Sequence, residues 1–152
     1  MSQESPNKAE KESDGFNAEE RAAMKEHAAE LRAEAKKGAK RADGLQAVLD
    51  RIEQMAPADC ALAERVHVTV TATAPELSPK TWYGMPAYAN ADGKVVVFFQ
   101  DATKFKYRYL TLGFQEAANL DDDDMWPVSY ALLGWSPVVE NKVVEFSKAA
   151  IS

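Results

Sequence analysis

Cysteine and histidine are scarce in this chain: one cysteine, Cys60, and two histidines, His27 and His67, in 152 residues. A single cysteine excludes an internal disulfide and every zinc set built on several thiolates. Neither histidine has a partner at metal-ligand spacing. No apolar run approaches the roughly 18 residues of a membrane helix, so no membrane partner is expected. The first stretch, Met1–Lys11, is polar and lacks the apolar core of a secretory leader. With the missing disulfide framework, this points to a cytoplasmic protein. There is no glycine-rich phosphate loop, no Gly-x-Ser-x-Gly elbow and no nucleophile beside a recognisable base, so catalysis has little support. Cys60 reads as a small buried hydrophobe. Basic residues do not predominate either. Eighteen Lys and Arg face 24 Asp and Glu, a net charge of −6. Such a chain repels a phosphate backbone, and no nucleic acid partner is expected.

What is present suits one ordinary domain. Hydrophobic residues make up 46% and charged residues 28%, near the globular average. Residues 1–16 read as a disordered tail. Residues 17–42 read as a helical extension: Asn17 caps a helix and Glu20 completes a capping box. Its thin apolar stripe is Met24, Ala28, Leu31 and Ala35, and Gly38 is its expected stop. Such an exposed helix suits packing on another protein or on a second copy of the chain. The basic cluster Lys36, Lys37, Lys40 and Arg41 complements the negative end of that helix.

Residues 43–152 form the domain proper. A second helix, with Asp43 as its cap, carries Leu45, Val48, Leu49, Ile52 and Met55 on one face and ends at Pro57. Residues 59–73 are ambiguous. Val66, Val68 and Val70 alternate as in a strand, whereas Leu62, Val66 and Val70 also fit a helix face. From Lys80 the character turns to β. Thr81–Ala89, interrupted by Gly84 and Pro86, reads as an edge or bulged strand. Asn90–Gly93 signals a hairpin. Val95–Phe99 reads as a central strand buried on both faces, Lys106–Leu112 as a further strand and Pro127–Leu133 as the last. Ser136-Pro137 opens a final helix whose inner face is Val139, Val143, Phe146 and Ala150. The fold class is α+β: an antiparallel sheet of four to five strands covered by helices, with an N-terminal helical extension.

Several segments carry a resemblance: Ser78-Pro79-Lys80-Thr81-Trp82-Tyr83-Gly84-Met85-Pro86-Ala87-Tyr88, the arm Gly93–Val96, Lys104-Phe105-Lys106-Tyr107, Thr111-Leu112-Gly113-Phe114 and Met125-Trp126-Pro127. Together they resemble the YdhG-like family of small bacterial domains of unknown function, from about Leu45 to Ala150. The resemblance is sharpest at Tyr83–Ala87. It implies that residues 59–73 are helical. Some members of that family are described as frataxin-like intracellular iron chaperones, so iron is the cofactor the resemblance implies.

Two constellations carry chemistry. Trp82, Tyr83, Met85, Tyr88, Phe98, Tyr107 and Trp126, with Lys94 and Lys106, are the residue types that line a pocket for a flat ligand bearing an acid group. Asp121, Asp122, Asp123 and Asp124, with Glu116 nearby, offer the oxygen ligands that iron and other hard cations prefer. The expected function is therefore a non-catalytic protein binding a small molecule or a metal ion.

Overall fold

The computed structural model describes residues 17–37 and 41–152. The tail reading of residues 1–16, the stop at Gly38 and the cation at Lys40 lie outside the described residues, as do the side chains of Ala35, Lys36 and Lys37. Three helices come first: α1 (Ala18–Lys37), α2 (Arg41–Glu53) and α3 (Pro57–Thr73). The strands β1 (Ser78–Trp82), β2 (Met85–Ala89) and β3 (Val95–Gln100) follow, then a short helix α4 (Ala102–Phe105). Strands β4 (Leu110–Phe114) and β5 (Ser129–Leu132) and the helix α5 (Pro137–Ile151) complete the chain. The five strands pair antiparallel in chain order, a meander, and the fold is α+β.

Local chemistry explains most boundaries. Asn17 Oδ1 accepts from the Glu20 N–H at 2.7 Å and opens α1 as expected. Helix α2 begins two residues before its expected cap. Asp43 instead lies in the first turn, where its charge still suits the helix dipole. Arg41 anchors that start by donating to the Pro75 carbonyl at 2.6 Å and to Ser78 Oγ at 3.3 Å. Gly44 allows α2 to approach the backbone of β1, because a Cβ there would strike the Pro79 carbonyl. Lying over an edge strand, α2 buries only Val48 and Ile52, with Met55 just beyond its end. Leu45 and Leu49 remain 37% and 41% exposed.

The ambiguous stretch is helical. A strand there would bury Val68 on the same side as Val66 and Val70. In α3 Val66 and Val70 are fully buried and Val68 is 62% exposed. The stretch Thr81–Ala89 is two strands rather than one interrupted strand. Trp82 pairs with Met85, and Tyr83 and Gly84 form the two-residue loop between them, with φ of 52° and 74°. Positive φ at both positions is the requirement of a type I′ hairpin, and Gly84 meets it without strain. The second hairpin is as expected: Asn90 Oδ1 accepts from the N–H groups of Asp92 and Lys94 at 3.0 and 3.1 Å. The expected strand from Lys106 starts only at Leu110. Asp59 Oδ2 accepts from the Thr103 N–H at 2.9 Å, α4 forms, and Lys106 ends it in a left-handed conformation with φ 61°.

One cluster forms the core. Val48 and Ile52 of α2, Ala63, Val66 and Val70 of α3, and Val143 and Ala150 of α5 pack against Tyr88, Val97, Phe99, Leu112 and Phe114 of the sheet. Ser136 Oγ caps α5 at 3.2 Å, and Phe146 stacks on Tyr130 with centroids 4.3 Å apart.

His67 sits in this core, with Nδ1 and the Tyr88 hydroxyl 2.6 Å apart. Burial holds the imidazole pKa below its usual value and pushes the Tyr88 phenol up. The unfolded chain therefore binds a proton near pH 6.5 that the folded chain does not. Stability is lost as pH falls from there towards the depressed folded value. Urea unfolding midpoints should fall between about pH 7.5 and about pH 5.5, and His67→Gln should flatten that fall. An unchanged pH dependence in the variant would refute the assignment.

Candidate functional site

The first hairpin turn gathers side chains from distant parts of the sequence. Its Gly84 carbonyl accepts from Arg51 Nε at 2.8 Å, and Arg51 Nη2 donates to Asp101 Oδ1 at 2.8 Å. Asp101 is 2% exposed and the Arg51 side chain 11%. One guanidinium thus ties the end of α2 to the β1–β2 turn and to the start of α4. From the other side, the Gly84 N–H donates to Glu30 Oε1 of α1 at 3.3 Å. Glu26, one turn earlier on α1, receives Lys104 Nζ on both carboxylate oxygens at 3.0 Å. A Cβ on Gly84 would strike both members of that pair.

These groups border a cleft of about 380 Å³, lined by Glu26, Arg51, Gln54, Asp101 and Lys104 with Met55 and Ala56 as its apolar part. Its two carboxylates and two cations cancel. Burial raises the Glu30 pKa, opposed by the hydrogen bond from Gly84. Glu30 Oε2 and His27 Nδ1 are both buried without a hydrogen-bond partner and face each other at 3.9 Å. The His27 ring stacks on Tyr83, with centroids 4.0 Å apart and planes 18° apart. Tyr83 has the left-handed conformation that its hairpin turn requires and that a bulky residue rarely adopts.

The nine residues expected to line a ligand site do not all come together. Trp82, Tyr83 and Phe98 meet: Trp82 stands edge-on to Tyr83 at 5.0 Å and to Phe98 at 5.2 Å, and the Phe98 ring lies on Gly113. Met85 is buried beside Trp82 as its cross-strand partner. Tyr88 points into the core and reaches His67. Lys106 and Tyr107 lie beyond α4, at the Gly84 end of the sheet, and the exposed Lys106 pairs with Glu19 of α1. That contact lowers the Glu19 pKa. Lys94 is in the second hairpin and Trp126 in the loop before β5, both at the opposite end. Asp121, Asp122, Asp123, Asp124 and Glu116 are exposed. Among the described residues no three His, Cys, Asp or Glu side chains converge to hold a metal ion. Cys60 approaches Glu64 at 3.6 Å, and burial with the carboxylates of Glu64 and Glu53 raises its thiol pKa.

A second hollow, of about 240 Å³, lies at the other end of the sheet between Leu77, Asn90, Val96, Ala117, Asn119 and Ile151. Its two asparagines already serve local structure, Asn90 in the hairpin and Asn119 on the Ser152 carbonyl.

Sequence reasoning missed Glu26, Glu30, Arg51, Asp101 and Lys104. One signal was available for Arg51. It falls three residues after Val48 and four before Met55, beside the apolar face of α2, where a cation needs a buried partner. Asp101 carried no comparable mark.

Removing the guanidinium would leave Asp101 buried and unpaired. Arg51→Met is expected to destabilise by about 3–5 kcal/mol, read from urea midpoints, and the added change Asp101→Asn is expected to restore part of the loss. A variant as stable as the parent would show that Arg51 does not hold this junction. Among the described residues no helix is long and apolar enough to cross a membrane. Comparison with known proteins found no matching protein-family model, no matching curated protein and no matching solved structure.

Proposed function

We propose that this chain is a YdhG-like, non-catalytic binding domain that takes a small molecule in the cleft between α1, the end of α2 and α4. The observation that carries this reading is the cleft itself. Its volume of about 380 Å³ falls within the range of small-molecule sites, and it combines a short apolar floor with a few fixed polar groups. The buried Arg51–Asp101 pair keeps that wall rigid, as a preorganised site requires. Cys60 and His67 are turned to partners at Glu64 and Tyr88, and the His27 ring stacks on Tyr83.

A ligand at a hundred times its Kd stabilises the folded chain by about 2.7 kcal/mol, which raises the unfolding temperature by about 5 °C or more. Thermal unfolding against a panel of small polar metabolites should find such a stabiliser, and Ala56→Trp, which fills the floor, should abolish the effect. A panel without any stabiliser would count against the reading.

A second reading rests on α1. Its stripe points outwards, with Met24 and Leu31 43% and 51% exposed, while Ala23, Glu26, His27 and Glu30 turn to the domain. An outward apolar stripe suits packing against a second copy of the chain. Sedimentation should then show a dimer that Leu31→Glu dissociates; a monomer at all concentrations would remove this reading.

A further inference from the structure

Glu26 is the one carboxylate of the cleft that comes from α1; Asp101 is fixed from the opposite wall by Arg51. Both Glu26 oxygens lie at 3.0 Å from Lys104 Nζ, and its carboxyl group fills the space above Gly84 that a Cβ would take. A ligand carboxylate could engage Lys104 through the same two oxygens. Charge-assisted hydrogen bonds between an ammonium and a carboxylate are roughly twice as strong as neutral ones. The charges agree. With Glu26 in place, Glu26, Arg51, Asp101 and Lys104 sum to zero. Without it, Arg51, Asp101 and Lys104 leave one positive charge, which a single carboxylate neutralises.

The attachment of α1 agrees as well. Among the described residues its contacts with the domain are mainly polar or ring contacts, Glu19 to Lys106, Glu26 to Lys104, Glu30 to the Gly84 N–H and His27 on Tyr83, with Ala23 its one buried apolar side chain. Glu26 is 41% and Lys106 74% exposed, so solvent weakens both ion pairs. Glu30 and His27 leave two buried polar atoms without hydrogen bonds. Little apolar burial holds this helix in place.

We infer that α1 is a self-docked lid and that Glu26 occupies the seat of the cleft's own ligand, a small molecule bearing one carboxylate. The inference rests on the binding reading above and adds to it the ligand class and its control. Binding and lid release are then one event: the ligand's carboxylate takes Lys104, Glu26 moves out, and α1 leaves the Gly84 turn. Gln54 and Thr103 are placed to meet the polar remainder of the ligand, and Met55 its apolar part.

The test compares the full chain with Glu26→Gln by amide NMR and hydrogen exchange, at constant ionic strength. The probes are acetate, butyrate, benzoate and succinate. The variant keeps the size of the side chain and removes the competing charge. It should bind a monocarboxylate at least about tenfold more tightly than the parent, with the Gly84 amide resonance moving in both. Titration of the parent should also raise the exchange of the α1 amides. Lys104→Met in the Glu26→Gln background should abolish binding while thermal unfolding of the sheet domain stays unchanged. Equal affinity in parent and variant, or binding with α1 exchange unaltered, would overturn the lid and leave the binding reading standing. Tighter binding of succinate than of every monocarboxylate would overturn the ligand class. Silence of all four probes in both chains, together with a fruitless metabolite panel, would remove the cleft as a site and the inference with it.

Discussion

Arg51 is the contact on which the geometry of this end of the molecule depends. A guanidinium offers several donors in a fixed plane, and here they reach the Gly84 carbonyl and the Asp101 carboxylate at once. Helix α2 packs on the first hairpin through Val48 and Ile52, and Arg51 joins both to the start of α4. A buried charge pair is a poor source of net stability but a strict one of arrangement, because any other geometry leaves a charge unpaired. With its carbonyl engaged by Arg51, Gly84 offers its N–H to α1 and its bare Cα face to the Glu26–Lys104 pair. Arg51 thus fixes two of the walls of the cleft.

Two kinds of attachment coexist in the chain. Helices α2, α3 and α5 contribute to one apolar core with the sheet, where each buried aliphatic side chain stabilises by roughly 1.5–3 kcal/mol. Helix α1 contributes Ala23 as its one buried apolar side chain among the described residues and otherwise meets the domain through acids and an imidazole. A core of the first kind is indifferent to salt, whereas contacts of the second kind are screened by it.

The fold was legible in the sequence wherever one periodicity ruled. The caps at Asn17 and Ser136, the Asn90–Gly93 hairpin and the valine-rich central strand stand where their residues place them. Residues 59–73 carried two periodicities, and burial decided for the helix by leaving Val68 in solvent. The first hairpin was hidden because Tyr83 takes a left-handed backbone conformation in its turn, which a bulky residue rarely adopts, and its ring packs on His27, 56 positions earlier in the chain. Lys106–Tyr109 alternates like a strand, yet Asp59 caps α4 from another helix and delays the strand to Leu110. The candidate site was the least legible part. Its charged groups come from α1, α2 and the β3–α4 junction, and their meeting depends on tertiary distances that no local pattern encodes. The aromatic side chains singled out from sequence fall into separate groups because a meander sends alternate turns to opposite ends of the sheet.

The polar underside of α1 bears on calorimetry. The heat-capacity increment of unfolding tracks the apolar surface that water newly reaches. Departure of α1 uncovers little such surface, so it would add almost nothing to that increment and would pass unseen beneath the endotherm of the sheet domain. Hydrodynamic radius responds to the reach of the chain instead, and a freed helix of twenty residues spans about 30 Å. Scattering and heat absorption would therefore report two different transitions in the same sample.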